Sequence, residues 1–144
     1  MTDSSDYQKI PHIKREARYS NVSKLLGMSI KQADAKEGII EASFEAQECF
    51  YNYIGNVQGG ILTAMLDDLM GHAANITLTD TQFAPTGNMN ISFLKSTQQG
   101  TLTGRGEILK REGNIFHLAA KLYNAENELI CSATSKAKVV NVSG

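Results

Sequence analysis

An α+β fold, with an antiparallel sheet wrapped around one long helix, is what this sequence predicts. Three observations carry the prediction. From Gly59 to Ile76 the apolar residues Ile61, Leu62, Met65, Leu66, Leu69, Met70, Ala73 and Ala74 cover most of a helix circumference, so that helix is buried on nearly every side. Much of the remaining chain falls into short stretches in which apolar and polar residues alternate, the period of a strand. Those stretches are separated by turn chemistry at 34–38, 110–114 and 125–128, which makes neighbouring strands hairpin partners. A single buried helix among hairpins is satisfied by a sheet that curls around it.

The elements follow in chain order. Residues 1–8 are polar and acidic, unlike a secretory signal, and the first dozen residues read as a frayed lead-in. Ala17, Val22, Leu25 and Leu26 have loose helical spacing across 14–26, and Gly27 is a natural stop. Residues 28–33 and 39–44 form a first hairpin around the 34–38 turn. Asn52, Gly55 and Asn56 mark a loop before Gly59 and Gly60, where the long helix starts. After Asp80 come strands. Met89, Ile91 and Phe93 alternate with Asn88, Asn90 and Ser92. Residues 102–109 alternate less cleanly. Ile115, His117, Ala119, Lys121 and Tyr123 oppose Phe116, Leu118, Ala120 and Leu122, and 129–140 closes as one long strand. The domain division is a lead-in with a short helix at 1–24 and one domain at 25–144.

Composition limits the function classes. The chain has 144 residues, 42% hydrophobic and 20% charged, with net charge -1, which is a globular composition. Its Lys and Arg are scattered among acids, so neither nucleic acid nor an anionic membrane is an expected partner. No apolar run approaches the roughly 20 residues of a membrane span. Cys49 and Cys131 stand apart, without a Cys-x-x-Cys pair, and read as reduced cytosolic thiols. The expected location is the cytoplasm. His12, His72 and His117 share no ligand spacing, and no metal is expected.

Chemistry concentrates at 52–67. The first turn of a helix carries unpaired N–H groups and the positive end of the macrodipole, and two glycines let a ligand approach that backbone closely. A carbonyl held there is polarised and stabilised further as it becomes an oxyanion. Asp67 and Asp68 are the only acids on the helix. Asp67 follows Gly60 by seven residues, about 10 Å along the axis. It is too far to act on the same carbonyl within one chain, but it can reach one held by a second subunit of a symmetric dimer. Flanked by Met65, Leu66 and Leu69, Asp67 is expected to be buried, with its pKa raised by desolvation.

The string Asn52-x-x-Gly55-x-x-Gln58-Gly59-Gly60-x-x-x-x-Met65-x-Asp67 resembles the active-site signature of hotdog-fold acyl-CoA thioesterases, most closely the phenylacetate-pathway (PaaI-like) group. The run from Thr86 to Phe93 resembles that family's strand after the helix. The resemblance implies a hotdog fold and hydrolysis of acyl-CoA to a free acid and coenzyme A. Coenzyme A is then part of the substrate, with no cofactor. The resemblance also implies roles. The Gly60 N–H binds the thioester carbonyl; Asp67 is nucleophile or general base; Asn52 orients water or thioester; Thr86 bonds water or the carboxylate. Gln58 stands where the family mostly has His, and it can donate a hydrogen bond but cannot titrate. Gly59, Asp68, Phe93, Lys95 and Arg111 are the expected substrate-binding residues, the last two for the phosphates of coenzyme A. A homodimer or homotetramer with sites between subunits is expected. The alternative is an acyl-CoA binding or sensing protein without turnover, which Gln58 motivates. A hydratase on the same fold ranks last, because no His lies between Cys49 and Gly71.

Overall fold

A computed structural model describes residues 19–142. A short helix, α1 (Asn21–Leu25), leads into the hairpin β1 (Ser29–Asp34) and β2 (Ile39–Ala46). A 3-10 turn at Glu48–Phe50 and a loop then precede the long helix α2 (Gly59–Asn75). The strands β3 (Gln82–Phe83), β4 (Thr86–Phe93), β5 (Gly100–Glu112), β6 (Ile115–Tyr123), β7 (Leu129–Lys138) and β8 (Val140–Asn141) complete the chain. The main sheet has six strands in the order β1-β2-β5-β6-β7-β4, and every pairing in it is antiparallel. β3 and β8 form a separate two-stranded ribbon. This is the predicted α+β architecture, with α2 on the inner face of the sheet.

The core follows from the alternation read in the sequence. Phe116, Leu118, Ala120 and Leu122 of β6 point inward and are buried, as are Ile40, Ala42 and Phe44 of β2. They meet Leu62, Met65, Leu66, Leu69 and Met70 from α2. The opposite face of β6, with His117, Ala119 and Lys121, looks outward, as expected for an antiparallel sheet solvated on one side. The helix sits unusually low. A Cβ built on Gly106 of β5 would lie 2.3 Å from the Leu69 carbonyl oxygen, and one on Gly104 would lie 2.5 Å from Leu69 Cδ1. The two glycines therefore let the helix rest on the strand backbone itself.

Some boundaries differ from the sequence reading. Of the helix expected at 14–26, the structure shows Asn21–Leu25, and 14–18 lie outside the described residues. β5 runs on through Lys110, Arg111 and Glu112, so the 110–114 turn shrinks to Gly113 and Asn114, with Gly113 at φ 59°. The last strand is not continuous. Val139 leaves the ladder to donate its N–H to the Asn114 carbonyl at 2.7 Å, which separates β7 from β8. Among the described residues, no helix is long and apolar enough to cross a membrane.

Candidate active site

The start of α2 is built to leave its donors open. Gln58 occupies the N-cap but makes no side-chain capping bond, in keeping with the poor capping ability of a long amide. The Gln58 carbonyl takes the N–H groups of Ile61 (2.9 Å) and Leu62 (3.1 Å). Among the described residues, no backbone acceptor meets the N–H of Gly59 or Gly60. These are the groups that a carbonyl oxygen would meet, and Gly60 has open space where a Cβ would stand. The Phe93 ring lies against Gly59, 3.3 Å from the position of a Cβ there.

The preceding loop is held by Asn52. Its Oδ1 accepts from the N–H groups of Ile54 and Asn56, both at 3.1 Å, and its own N–H donates to the Asn56 carbonyl at 2.7 Å. Gly55 supplies the left-handed residue, at φ 83°. The side-chain oxygen of Asn52 is thus occupied in shaping the loop. The loop carries Tyr53 and Ile54 at its tip, both exposed.

Asp67 lies at the other end of β4. The Thr86 hydroxyl donates to Asp67 Oδ1 at 2.6 Å. Since Phe93 lies on Gly59 and Thr86 on Asp67, α2 and β4 run in opposite directions. Asp67 is half-buried rather than enclosed. Its neighbour Asp68 has a mostly enclosed side chain, 14% exposed, and its carboxyl is pushed up to about 6. Burial is the main cause and the charge of Asp67 adds to it, while a hydrogen bond from Ser23 opposes it. The carboxyl raised by desolvation is that of Asp68. Asp68 faces α1, away from Thr86, and shares that space with Ser23 and His72. Sequence reasoning passed over this group, although His72 stands one helical turn after Asp68, a spacing that signals contact.

The expected phosphate ligands are dispersed. Lys95, two residues beyond Phe93, is paired with Glu128. Arg111 lies across the sheet, its guanidinium 4.9 Å from the centre of the Phe116 ring and its Nε donating to the Gly113 carbonyl at 2.9 Å. Within one chain the structure brings Thr86 to Asp67 and Phe93 to Gly59. It does not bring Lys95 and Arg111 together. Cys131 is inert, its thiol pushed up to about 12 by burial, and Cys49 is exposed. Among the described residues, no three His, Cys, Asp or Glu side chains converge as metal ligands would.

Comparison with known proteins agrees with this geometry. The family model of the thioesterase superfamily matches residues 54–131. The chain is similar to a phenylacetic acid degradation-related protein of Ralstonia eutropha JMP134, with 34% identity and a TM-score of 0.81, over 88% of this chain and 95% of that one. The PaaI protein of E. coli, at 19% identity and a TM-score of 0.82, shares the fold over 99% of this chain and 100% of its own. So does the smu.793 protein of Streptococcus mutans, solved with acetyl CoA bound, at 20% identity and a TM-score of 0.72, over 81% of this chain and 91% of that one. No curated protein matches the chain. With its matched segment running from the loop before α2 into β7, and with the antiparallel sheet packed on one main helix, the chain belongs to the thioesterase superfamily, has the hotdog fold, and is a thioester hydrolase by class.

Proposed function

We propose that this protein hydrolyses acyl-CoA thioesters as a homodimer, with each site built from Gly59 and Gly60 of one subunit and Asp67 and Thr86 of the other. One observation carries the reading: the open N–H groups and the Thr86–Asp67 pair sit at opposite ends of β4, and β4 is an edge strand. Among the described residues β4 pairs with β7 alone, and its other side holds no Pro, Lys or Arg to discourage pairing. Its inner-face residues Met89 and Ile91 are only partly covered, and Phe93 is exposed. Antiparallel pairing of two β4 strands about a two-fold axis near Met89 and Asn90 would set the Phe93 end of one against the Thr86 end of the other. That brings the partner subunit's Gly60 toward Asp67 and resolves the 10 Å separation along one helix.

The chemistry then runs as follows. The thioester carbonyl oxygen sits against the N–H groups of Gly59 and Gly60. Thr86 fixes one oxygen of Asp67, which leaves the other to accept a proton from water. The water oxygen attacks the carbonyl carbon, and the oxyanion is held by the helix N-terminus, where one donor is worth about 3 kcal/mol. Collapse breaks the C–S bond. The thiolate takes the proton from Asp67 and leaves as free coenzyme A, with the acid as the second product. Gln58 supplies a hydrogen-bond donor at the site but no titrating proton. Phe93 contributes an apolar surface for the acyl group, and Asn52 supports the loop. Coenzyme A enters as part of the substrate. The protein of S. mutans that holds acetyl CoA on this fold supports the choice of ligand.

Release of free thiol from a panel of acyl-CoA substrates tests the reading. Asp67→Ala should lower turnover by roughly 10²- to 10⁴-fold. Mixed Gly60- and Asp67-disabled chains should regain activity through heterodimers that carry one intact site. Tight acyl-CoA binding with no thiol release by wild type would instead support the binding-only role that Gln58 suggests.

A further inference from the structure

The outer face of the sheet gathers positive charge at one end. Strand alternation buries Ala137 and Val139 and leaves Lys136 and Lys138 on the outside, about 7 Å apart along β7. Register sets Lys136 beside His117 of β6 and Lys138 beside Ile115. Together with Gly87 and Glu112, these four residues line a groove of about 500 Å³. It runs from β4 across β7 and β6 to the end of β5, three strand spacings or roughly 14 Å.

The charges in the groove are not balanced. Glu112 is already answered, with its Oε1 2.8 Å from His117 Nε2 and 3.3 Å from Lys110 Nζ. Lys95 is paired with Glu128, and Arg105 with Glu41 and Glu107. Among the described residues, neither Lys136 nor Lys138 has a carboxylate partner. Two unpaired ammonium groups on one wall of a groove favour a polyanion there. The position ties this groove to the site. Gly87 follows Thr86, whose hydroxyl holds Asp67 on the inner face. Thr86 opens the edge strand, and Pro85 before it has no N–H with which to extend a ladder. A ligand arm leaving Asp67 can therefore round the sheet edge here and reach the outer face.

Resting on the hydrolase reading above, we propose that this groove is a phosphate site, in which Lys136 and Lys138 hold the phosphate groups of coenzyme A while its thioester lies at Asp67 of the same subunit. The arm of coenzyme A between sulfur and diphosphate is a flexible chain of two amide units, suited to that turn around the edge. Lysine meets phosphate as a point charge with three donors. His117 adds a charge when protonated. Lys95, at the far end of β4, and Arg111, laid on the inward-facing Phe116, do not line the groove. Contacts so far from the reacting carbonyl are equal for substrate and transition state, so they act on binding and not on the chemical step.

The full chain carrying both Lys136→Gln and Lys138→Gln tests this. Lys121→Gln, on the same face but outside the groove, controls for net charge. Calorimetry with coenzyme A should show about tenfold weaker binding by the double variant, the scale of two exposed charge pairs, and a shallower dependence on salt. KM for an acyl-CoA should rise by a similar factor with kcat nearly unchanged. With the matching acyl-pantetheine thioester, which lacks the phosphates, double variant and wild type should have the same KM. Unchanged affinity for coenzyme A, or an equal loss with the pantetheine thioester or in Lys121→Gln, overturns the proposal. Inorganic phosphate is the last arm. If the double variant loses inorganic phosphate but keeps its affinity for coenzyme A, the groove takes free phosphate and the assignment to coenzyme A is overturned. If the lysines govern coenzyme A binding but wild type releases no thiol from any acyl-CoA, the hydrolase reading fails and the phosphate site stands.

Discussion

Replacing Gly106 with Ala should damage both the fold and the site. The added Cβ would meet the Leu69 carbonyl oxygen at 2.3 Å and its carbonyl carbon at 2.6 Å. Ordinary contact needs roughly 3.3 Å or more, so α2 or β5 must retreat by about 1 Å. The obstruction is backbone, so no rotamer change relieves it. Overpacking of this kind costs about 3 kcal/mol, or roughly 9 °C in Tm for a chain of this size. Leu69 is two residues from Asp67 on the same helix. A 1 Å retreat would stretch the 2.6 Å bond from Thr86 past the useful range. Misplacement on that scale lowers turnover by roughly 10²-fold in protein that is still folded. Urea unfolding, together with thiol release measured well below the unfolding midpoint, reads the two effects separately. A Gly106→Ala protein within about 0.5 kcal/mol of wild type, with normal turnover, would refute the claim that α2 rests on the β5 backbone.

Other substitutions separate the remaining features. Asp68 ionises near 6 when folded and near 3.8 in the unfolded chain, so the folded state holds its proton longer. Its carboxyl therefore costs nothing below about pH 3.8, and stability is lost as pH rises from there through 6. At neutral pH the cost is about 3 kcal/mol, and Asp68→Asn should flatten the urea midpoint between pH 4 and 8 by that order. Gly71→Ala, where a Cβ meets nothing within 4 Å, should raise stability by about 0.5–1 kcal/mol in thermal unfolding. Asn52→Ala removes the acceptor of two loop N–H groups and should cost about 1–2 kcal/mol, with faster amide hydrogen exchange at Ile54 and Asn56. Thr86→Val should lower kcat by roughly 10- to 100-fold while leaving the unfolding midpoint nearly unchanged, since Thr86 is exposed.

The long helix and the hairpins were legible because each depends on local periodicity: the inward row of β6 and the apolar circumference of α2 are present in the residue order. The glycine pair at the helix start was legible for the same reason, and so was the loop chemistry of Asn52. Three features were not. Asp67 and Asp68 are chemically identical neighbours, and which of them meets Thr86 and which meets Ser23 depends on how α2 is rotated against α1 and β4. Gly104 and Gly106 read as ordinary weak points in a strand, because Leu69, the helix residue that needs them, is more than thirty residues away in sequence. The break at Val139 is fixed by the Asn114 carbonyl, a partner from a distant turn. In each case the deciding contact is tertiary, and no local pattern records it.

The edge position of β4 carries a further consequence for fidelity. If two copies join along this strand, catalytic alignment becomes a matter of strand register. A slip of two residues keeps every side chain on its own face and preserves the hydrogen-bond ladder, so the assembly would survive it. The same slip would displace one subunit's glycines from the other's Asp67 by about 7 Å and abolish the site. The bulge between Thr86 and Asn88 breaks the regular repeat, leaving fewer equivalent alignments. Outward-facing residues such as Asn88 and Asn90 would then guard turnover by excluding a well-assembled but inactive dimer.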